Sequence, residues 1–243
     1  MPFSLAECKA LADSLGMDYS PKQLIDAYMV FGGIPHYWSL FDPKRSVAQN
    51  VDRLCFDESG ELSHEYTSLF ESLFSAKGKH RAIIERLSSV RKGMARQELA
   101  KNKKIKGGQP LTIALEELEE CGFIVKAPDF PKAKKDTIYK LVDNYTIFYF
   151  RYIQDNEDVE GFWSTAGAGQ RFRSWCGLAF ERVCLQHVSQ IKRALGFPSV
   201  ATRQHAWRSD PAKLEDGESG VQIDLLIDRS DNIINLCEMK FSI

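Results

Sequence analysis

Three residues near the end of the chain have the types and spacing for metal-assisted chemistry on a phosphodiester. Asp224 lies in "VQIDLLIDR", and Glu238 and Lys240 lie in "NLCEMKF". Residues two apart in a strand point to one face, so Glu238 and Lys240 share theirs. The polar "DRSDN" between the two apolar runs predicts a hairpin turn. A three-residue loop, Ser230-Asp231-Asn232, pairs Arg229 with Ile233 and sets Asp224 opposite Glu238. A two-residue loop breaks this parity. Opposed side chains have Cβ atoms about 4.5–5.5 Å apart. Two carboxylates that close repel, and a divalent cation removes the conflict. Mg²⁺ takes one or two carboxylates plus water. Metal-bound water attacks a phosphodiester, and a neighbouring ammonium orients water or neutralises charge. The expected set is Asp224 and Glu238 as ligands for Mg²⁺ or Mn²⁺, with Lys240 orienting the water.

Glu181 is the candidate third carboxylate. It lies in "GQRFRSWCGLAFERVCLQHVSQIKRAL", on the flank of an apolar stripe of Phe172, Cys176, Ala179, Val183 and Val188. Leu178 and Leu185 lie one turn to either side, which is unexpected on a purely solvated face. The structural reading of the same residue is an ion pair with Arg182 or a helix-end contact.

The elements that must position these groups follow from periodicity. Residues 1–60 read as a small helical region. "SLAECKALADSLG" has a Ser4 cap and ends at Gly16, and "SPKQLIDAYMVF" has Ser20 before Pro21. Tyr37, Trp38 and Phe41 read as core. Residues 61–153 give two amphipathic helices, a short helix in "GMARQELAKNKKI", a longer one in "GGQPLTIALEELEECGFI", and a strand-turn-strand in "FIVKAPDFPKAKKDTIYKLVD". That succession is the order of a winged helix-turn-helix. "NYTIFYFRYI" continues as an aromatic helix or strand. Residues 154–169 are polar and read as a linker. Residues 170–243 read as a long helix over 170–195, then strands near 199–208, 221–228 and 233–241.

Composition is that of a globular chain, with 44% hydrophobic and 27% charged residues. Net charge is −1, so nucleic-acid contact has to rest on local patches. Arg96, Lys101, Lys103 and Lys104 cluster at the short helix, and Lys134 and Lys135 sit in the wing; these are the expected DNA contacts. The longer helix carries Glu116, Glu117, Glu119 and Glu120, which phosphates repel. Base readout from it is disfavoured, except through Gln109 and Thr112 at its start. The alternative is a module that packs between domains. Six scattered cysteines without a C-x-x-C pair predict buried free thiols in a reducing cytoplasm. With no apolar run of about 20 residues, a membrane partner is not expected. Trp207, beside His205, reads as core. Cys184 and His187 lack an orienting acid for nucleophilic catalysis.

Helix-borne Glu181, strand-borne Asp224 and then Glu238-Met239-Lys240 resemble the PD-(D/E)XK nuclease superfamily. Its core runs helix, strand, strand, strand, helix, strand, and its Asp and Glu-x-Lys groups bind metal and catalyse. "YMVFGGIPHYW", "LFESLF", "TIALEELEECGFI", "YKLVDNYTIFYFRYI", "GLAFERVCLQHV" and "IDLLIDR…NLCEMKF" together resemble the C-terminal half of archaeal-type (prokaryotic) AAA+-like ATPases. Those proteins carry an ATPase module, a helical lid, a winged helix and a nuclease-like domain. The resemblance covers nearly the whole chain. It implies an α+β fold, mainly helical: a lid remnant at 1–60, a winged helix-turn-helix at 61–153, a linker at 154–169 and a truncated nuclease-like α/β core at 170–243. It also implies a fragment lacking both ends. No G-x-x-x-x-G-K-[ST] occurs, so ATP is expected only through an ATPase module that this chain lacks. The functional expectation is a DNA-associated region with Mg²⁺-dependent phosphodiester hydrolysis. The alternative is a non-catalytic DNA-binding, protein-interaction or regulatory region, with a protein partner or self-association.

Overall fold

The computed structural model describes residues 2–74, 78–105, 107–127, 137–156, 159–166, 169–209 and 220–242. The fold is α+β and mainly helical, with two separate three-stranded sheets. No described helix is long and apolar enough to cross a membrane.

The first four helices are α1 (Leu5–Ser14), α2 (Pro21–Phe31), α3 (Pro35–Ser39) and α4 (Val47–Cys55). Capping boxes Ser4/Glu7, Ser20/Gln23 and Ser46/Gln49 start α1, α2 and α4, each satisfying N–H groups that a helix start leaves unpaired. Helix α2 is buried over most of its length, so it is the central post of the molecule. The Trp38 indole N–H donates to Gly32 O at 2.8 Å, and Tyr37, Trp38 and Phe41 are core residues, as their sequence predicts.

Gly33 lies where the N-terminal segment crosses the end of α2. The Phe3 N–H donates to Gly33 O at 2.7 Å, and a Cβ at Gly33 would stand 1.9 Å from Phe3 O. Gly33→Ala is therefore expected to cost about 3 kcal/mol, the upper end of over-packing, read as a lower urea midpoint. Gly177, in a helix interior, has open space around its Cβ position. There the same change is expected to stabilise by roughly 0.5–1 kcal/mol.

Helix α5 (Glu65–Leu73) precedes a unit with the element order of a winged helix: α6 (Lys79–Ser88), β1 (Met94–Ala95), α7 (Arg96–Ala100), α8 (Gln109–Glu120), β2 (Ile124–Ala127) and β3 (Ile138–Leu141). The strands pair antiparallel in the order β1-β3-β2. Leu111, Ala114, Leu115 and Leu118 of α8 face inward, the stripe that the sequence spacing predicts. The aromatic segment that follows is helical: α9 (Asn144–Phe148) runs into a π-helical turn, Tyr149–Ile153.

The segment expected to be a linker is built into the core instead. Within 154–169 lies α10 (Phe162–Ala166). Trp163 is buried and meets Phe148 edge-on at 4.8 Å. Asp52 on α4 accepts hydrogen bonds from Trp163 N at 2.6 Å, from Ser164 N at 3.0 Å and from Ser164 Oγ. The expected long helix is likewise two helices, α11 (Gln170–Gln186) and α12 (Val188–Ala194). The break falls at His187. Its Nδ1 lies 2.7 Å from Val183 O, and its Nε2 accepts from Leu5 N at 2.9 Å. The ring thus ties the turn to the start of α1.

Helix α11 packs on α2, and its Trp175, Cys176, Ala179 and Val183 join one continuous core that begins at Cys8. The second sheet, β4 (Thr202–Arg208), β5 (Gln222–Arg229) and β6 (Ile234–Cys237), is antiparallel in that order. It rests on a small separate cluster of Val188, Phe197, Leu225 and Ile227. Packing therefore divides the C-terminal region after α11, not before it.

Candidate functional site: the carboxylate hairpin and the basic end of the winged helix

The β5–β6 register is the three-residue-loop arrangement. Arg229 N donates to Ile233 O at 3.0 Å, and Asn232 N donates to Arg229 O at 3.2 Å. Asn232 takes φ = 63°, a left-handed position that Asn tolerates and that this loop class requires. Leu225 pairs with Cys237, so one further step puts Asp224 opposite Glu238.

Each of the three groups makes contacts within this chain. Strand β6 ends at Cys237, so Glu238 and Lys240 are not in the ladder. Asp224 itself accounts for the departure: its Oδ2 accepts from Met239 N at 3.0 Å, and its Oδ1 accepts from Gln222 Nε2 at 3.2 Å. The carboxylate takes up the main-chain donor. Glu238 and Lys240 do lie on one side and pair with each other at 3.3 Å, both largely in solvent. Glu181 accepts from Arg91 Nη2 at 2.8 Å, which joins α11 to the chain just after α6. Glu181 and Asp224 both act on the Cys184 thiol, which burial, with their negative charge, pushes up to about 11.

Among the described residues, no group of three His, Cys, Asp or Glu side chains stands in metal-binding proximity. Each of the three carboxylates is engaged with a donor of this chain. The arrangement secures the last segment: Phe241 packs on Phe180 with ring centroids 5.4 Å apart. Asp224→Ala is expected to cost about 1–2 kcal/mol by orphaning Met239 N–H. It should also raise amide exchange over 238–242, as read by hydrogen–deuterium exchange.

The winged helix separates its charges along α8, which at 12 residues is about 18 Å long. Lys101, Lys103 and Lys104 are exposed on the connection leading into its N-terminus and make no ion pair among the described residues. Arg96, expected as a DNA contact, is a brace: its Nη2 donates to Gly108 O at 2.9 Å and to Thr112 Oγ1 at 3.1 Å. It holds the helix start in place and occupies the Thr112 hydroxyl. Lys134 and Lys135 lie outside the described residues. The other end of α8 is acidic. Glu116, Glu117 and Glu120 are exposed, Glu119 pairs with Lys126, and Glu117 Oε2 lies 2.6 Å from His80 Nε2. Between α6 and α8 runs an open groove of about 460 Å³ that includes Lys79, His80, Pro110, Ile113 and Glu117.

Sequence reasoning missed the Arg91–Glu181 pair, whose partners are 90 residues apart. It also missed Asp52 as an anchor, for which the local sequence carries no signal. It missed the burial of Trp163, although "GFW" inside a polar stretch was a usable one.

Neither protein-family profiles nor curated proteins give a match to the chain. Among solved structures, the chain is similar to the Walker-type ATPase PABY2304 of Pyrococcus abyssi, at 18% identity and a TM-score of 0.39. The alignment covers 62% of this chain and 42% of that one, so the chain spans less than half of the protein it matches. At that TM-score the likeness bears on neither fold nor activity.

Proposed function

We propose that this chain is a non-catalytic nucleic-acid-binding region, in keeping with its sequence resemblance to the C-terminal half of archaeal-type AAA+-like ATPases. Its winged helix meets the phosphate backbone end-on. The observation that carries this reading is the polarity of α8. Exposed Lys101, Lys103 and Lys104 lie on the connection that leads into its N-terminus, and the unpaired N–H groups and helix dipole of that end also favour anions. The acidic residues lie about two to three turns away, so only an approach to the N-terminal end avoids them. Such contact positions a duplex without reading bases. The C-terminal hairpin serves as structure in this reading, because its carboxylates are committed to donors of the same chain.

Binding is tested by fluorescence anisotropy with a labelled duplex over a range of salt. The reading predicts salt-dependent affinity that is indifferent to sequence. Salt-independent binding, or none at low salt, refutes it. The groove beside Ile113, which is 45% exposed, favours a second reading: a basic, apolar peptide docked against Glu117. Failure of duplex binding together with saturable binding of such a peptide would select it.

A further inference from the structure

A second cavity, of about 150 Å³, lies between α2, α4, α10 and α11. Trp163, Phe172 and Trp175 form one side, with Met29, Cys176 and Asp26 also on the wall. The two indoles meet at 90° with centroids 5.2 Å apart, and Phe172 packs on Trp163 at 5.1 Å. Trp163 and Trp175 are 6% and 5% exposed. The indole N–H of Trp175 is buried and has no hydrogen-bond partner among the described residues, whereas a buried indole N–H ordinarily finds one. Asp26 brings a carboxylate to the same wall. Its Oδ2 takes Lys22 Nζ at 2.9 Å from a half-exposed side chain, and exposed pairs of this kind are weakly held.

We propose that this cavity binds a small organic cation, a methylated ammonium group bearing a hydroxyl or carbonyl oxygen. Aromatic faces attract such cations, most strongly where water is excluded. Asp26 supplies the counter-charge, and the Trp175 N–H supplies a donor for the oxygen. A cavity of roughly this volume holds a benzene-sized guest, which suits a head group of the choline type. An anion meets Asp26 and the negative ring faces. A purely apolar guest leaves both the carboxylate and the indole N–H unmatched. Burial, with the nearby Asp26 charge, pushes the Cys176 thiol up to about 11, so this wall residue stays neutral.

The test titrates the full chain with choline, with tetramethylammonium and with 3,3-dimethyl-1-butanol, the uncharged isostere of choline. Ionic strength is held constant, and heat and tryptophan fluorescence are followed. Choline is expected to bind at least roughly tenfold more tightly than the isostere. Asp26→Asn, at a partly exposed site, should reduce choline affinity about three- to tenfold. Trp175→Phe should weaken choline more than it weakens tetramethylammonium, because choline loses the indole donor as well as part of the ring attraction. Equal affinity for choline and its isostere overturns the proposal. So does the absence of any saturable signal up to about 50 mM choline. If Trp175→Phe fails to fold, the isostere and Asp26→Asn decide the matter alone.

Discussion

Changing Lys101, Lys103 and Lys104 together to glutamate is expected to weaken duplex DNA binding about 10- to 100-fold near physiological salt. The three side chains are exposed, flank the start of α8 and make no ion pair among the described residues. No ion pair among the described residues depends on their charge, so the variant should unfold at the wild-type urea concentration. Each lysine that neutralises one phosphate contributes about 0.9 to the slope of log affinity against log salt. The triple variant should therefore flatten that slope by about 2.7, by the same amount on unrelated sequences. Changing Glu116, Glu117 and Glu120 to lysine works in the opposite sense and should strengthen binding. Arg96→Ala should act differently again, through loss of the brace to Gly108 O and Thr112 Oγ1. It should lower stability as well as affinity.

Asp52→Ala should lower stability by about 3 kcal/mol. For a chain of this size that is a fall in Tm of roughly 6–12 °C. Asp52 is buried and its carboxylate takes three donors, Trp163 N, Ser164 N and Ser164 Oγ. Hydrogen bonds to a charged group contribute about 1.5–3 kcal/mol each when lost singly, and they do not add. Removing the carboxylate strands two main-chain N–H groups and frees α10, which carries Trp163 into the aromatic core. Asp52→Asn keeps one acceptor oxygen and should cost about half as much. Differential scanning calorimetry separates the two variants. The same change in tryptophan emission in both would show that Trp163, not α4, is what moves.

The hairpin register was legible because strand parity is strict. Once Ser230-Asp231-Asn232 is the loop, Asp224 has only one opposite number. The element order over 79–141 was legible because helical and strand periodicities alternate clearly there, with Leu111, Leu115 and Leu118 marking the inner face of α8. What parity cannot show is where a carboxylate spends its hydrogen bonds. Asp224 sits opposite Glu238 as expected, yet its oxygens go to Met239 N and Gln222 Nε2. Glu181 was singled out because a carboxylate between leucines needs a partner. The partner is Arg91, brought from the winged helix by tertiary packing, and not the neighbouring Arg182 that proximity in sequence suggested. Arg182 instead donates from Nε to Asn144 Oδ1 at 2.6 Å. The break at His187 has no glycine or proline to announce it. It follows from a contact with Leu5, at the other end of the chain.

The most direct test of the account is the affinity of the unmodified chain for duplex DNA, measured by anisotropy from about 50 to about 200 mM salt with Mg²⁺ present. The account predicts a straight fall of log affinity against log salt, with a slope near −2.7 or steeper, on intact DNA. Affinity that stays flat across that range, or a duplex that is cut, would contradict it.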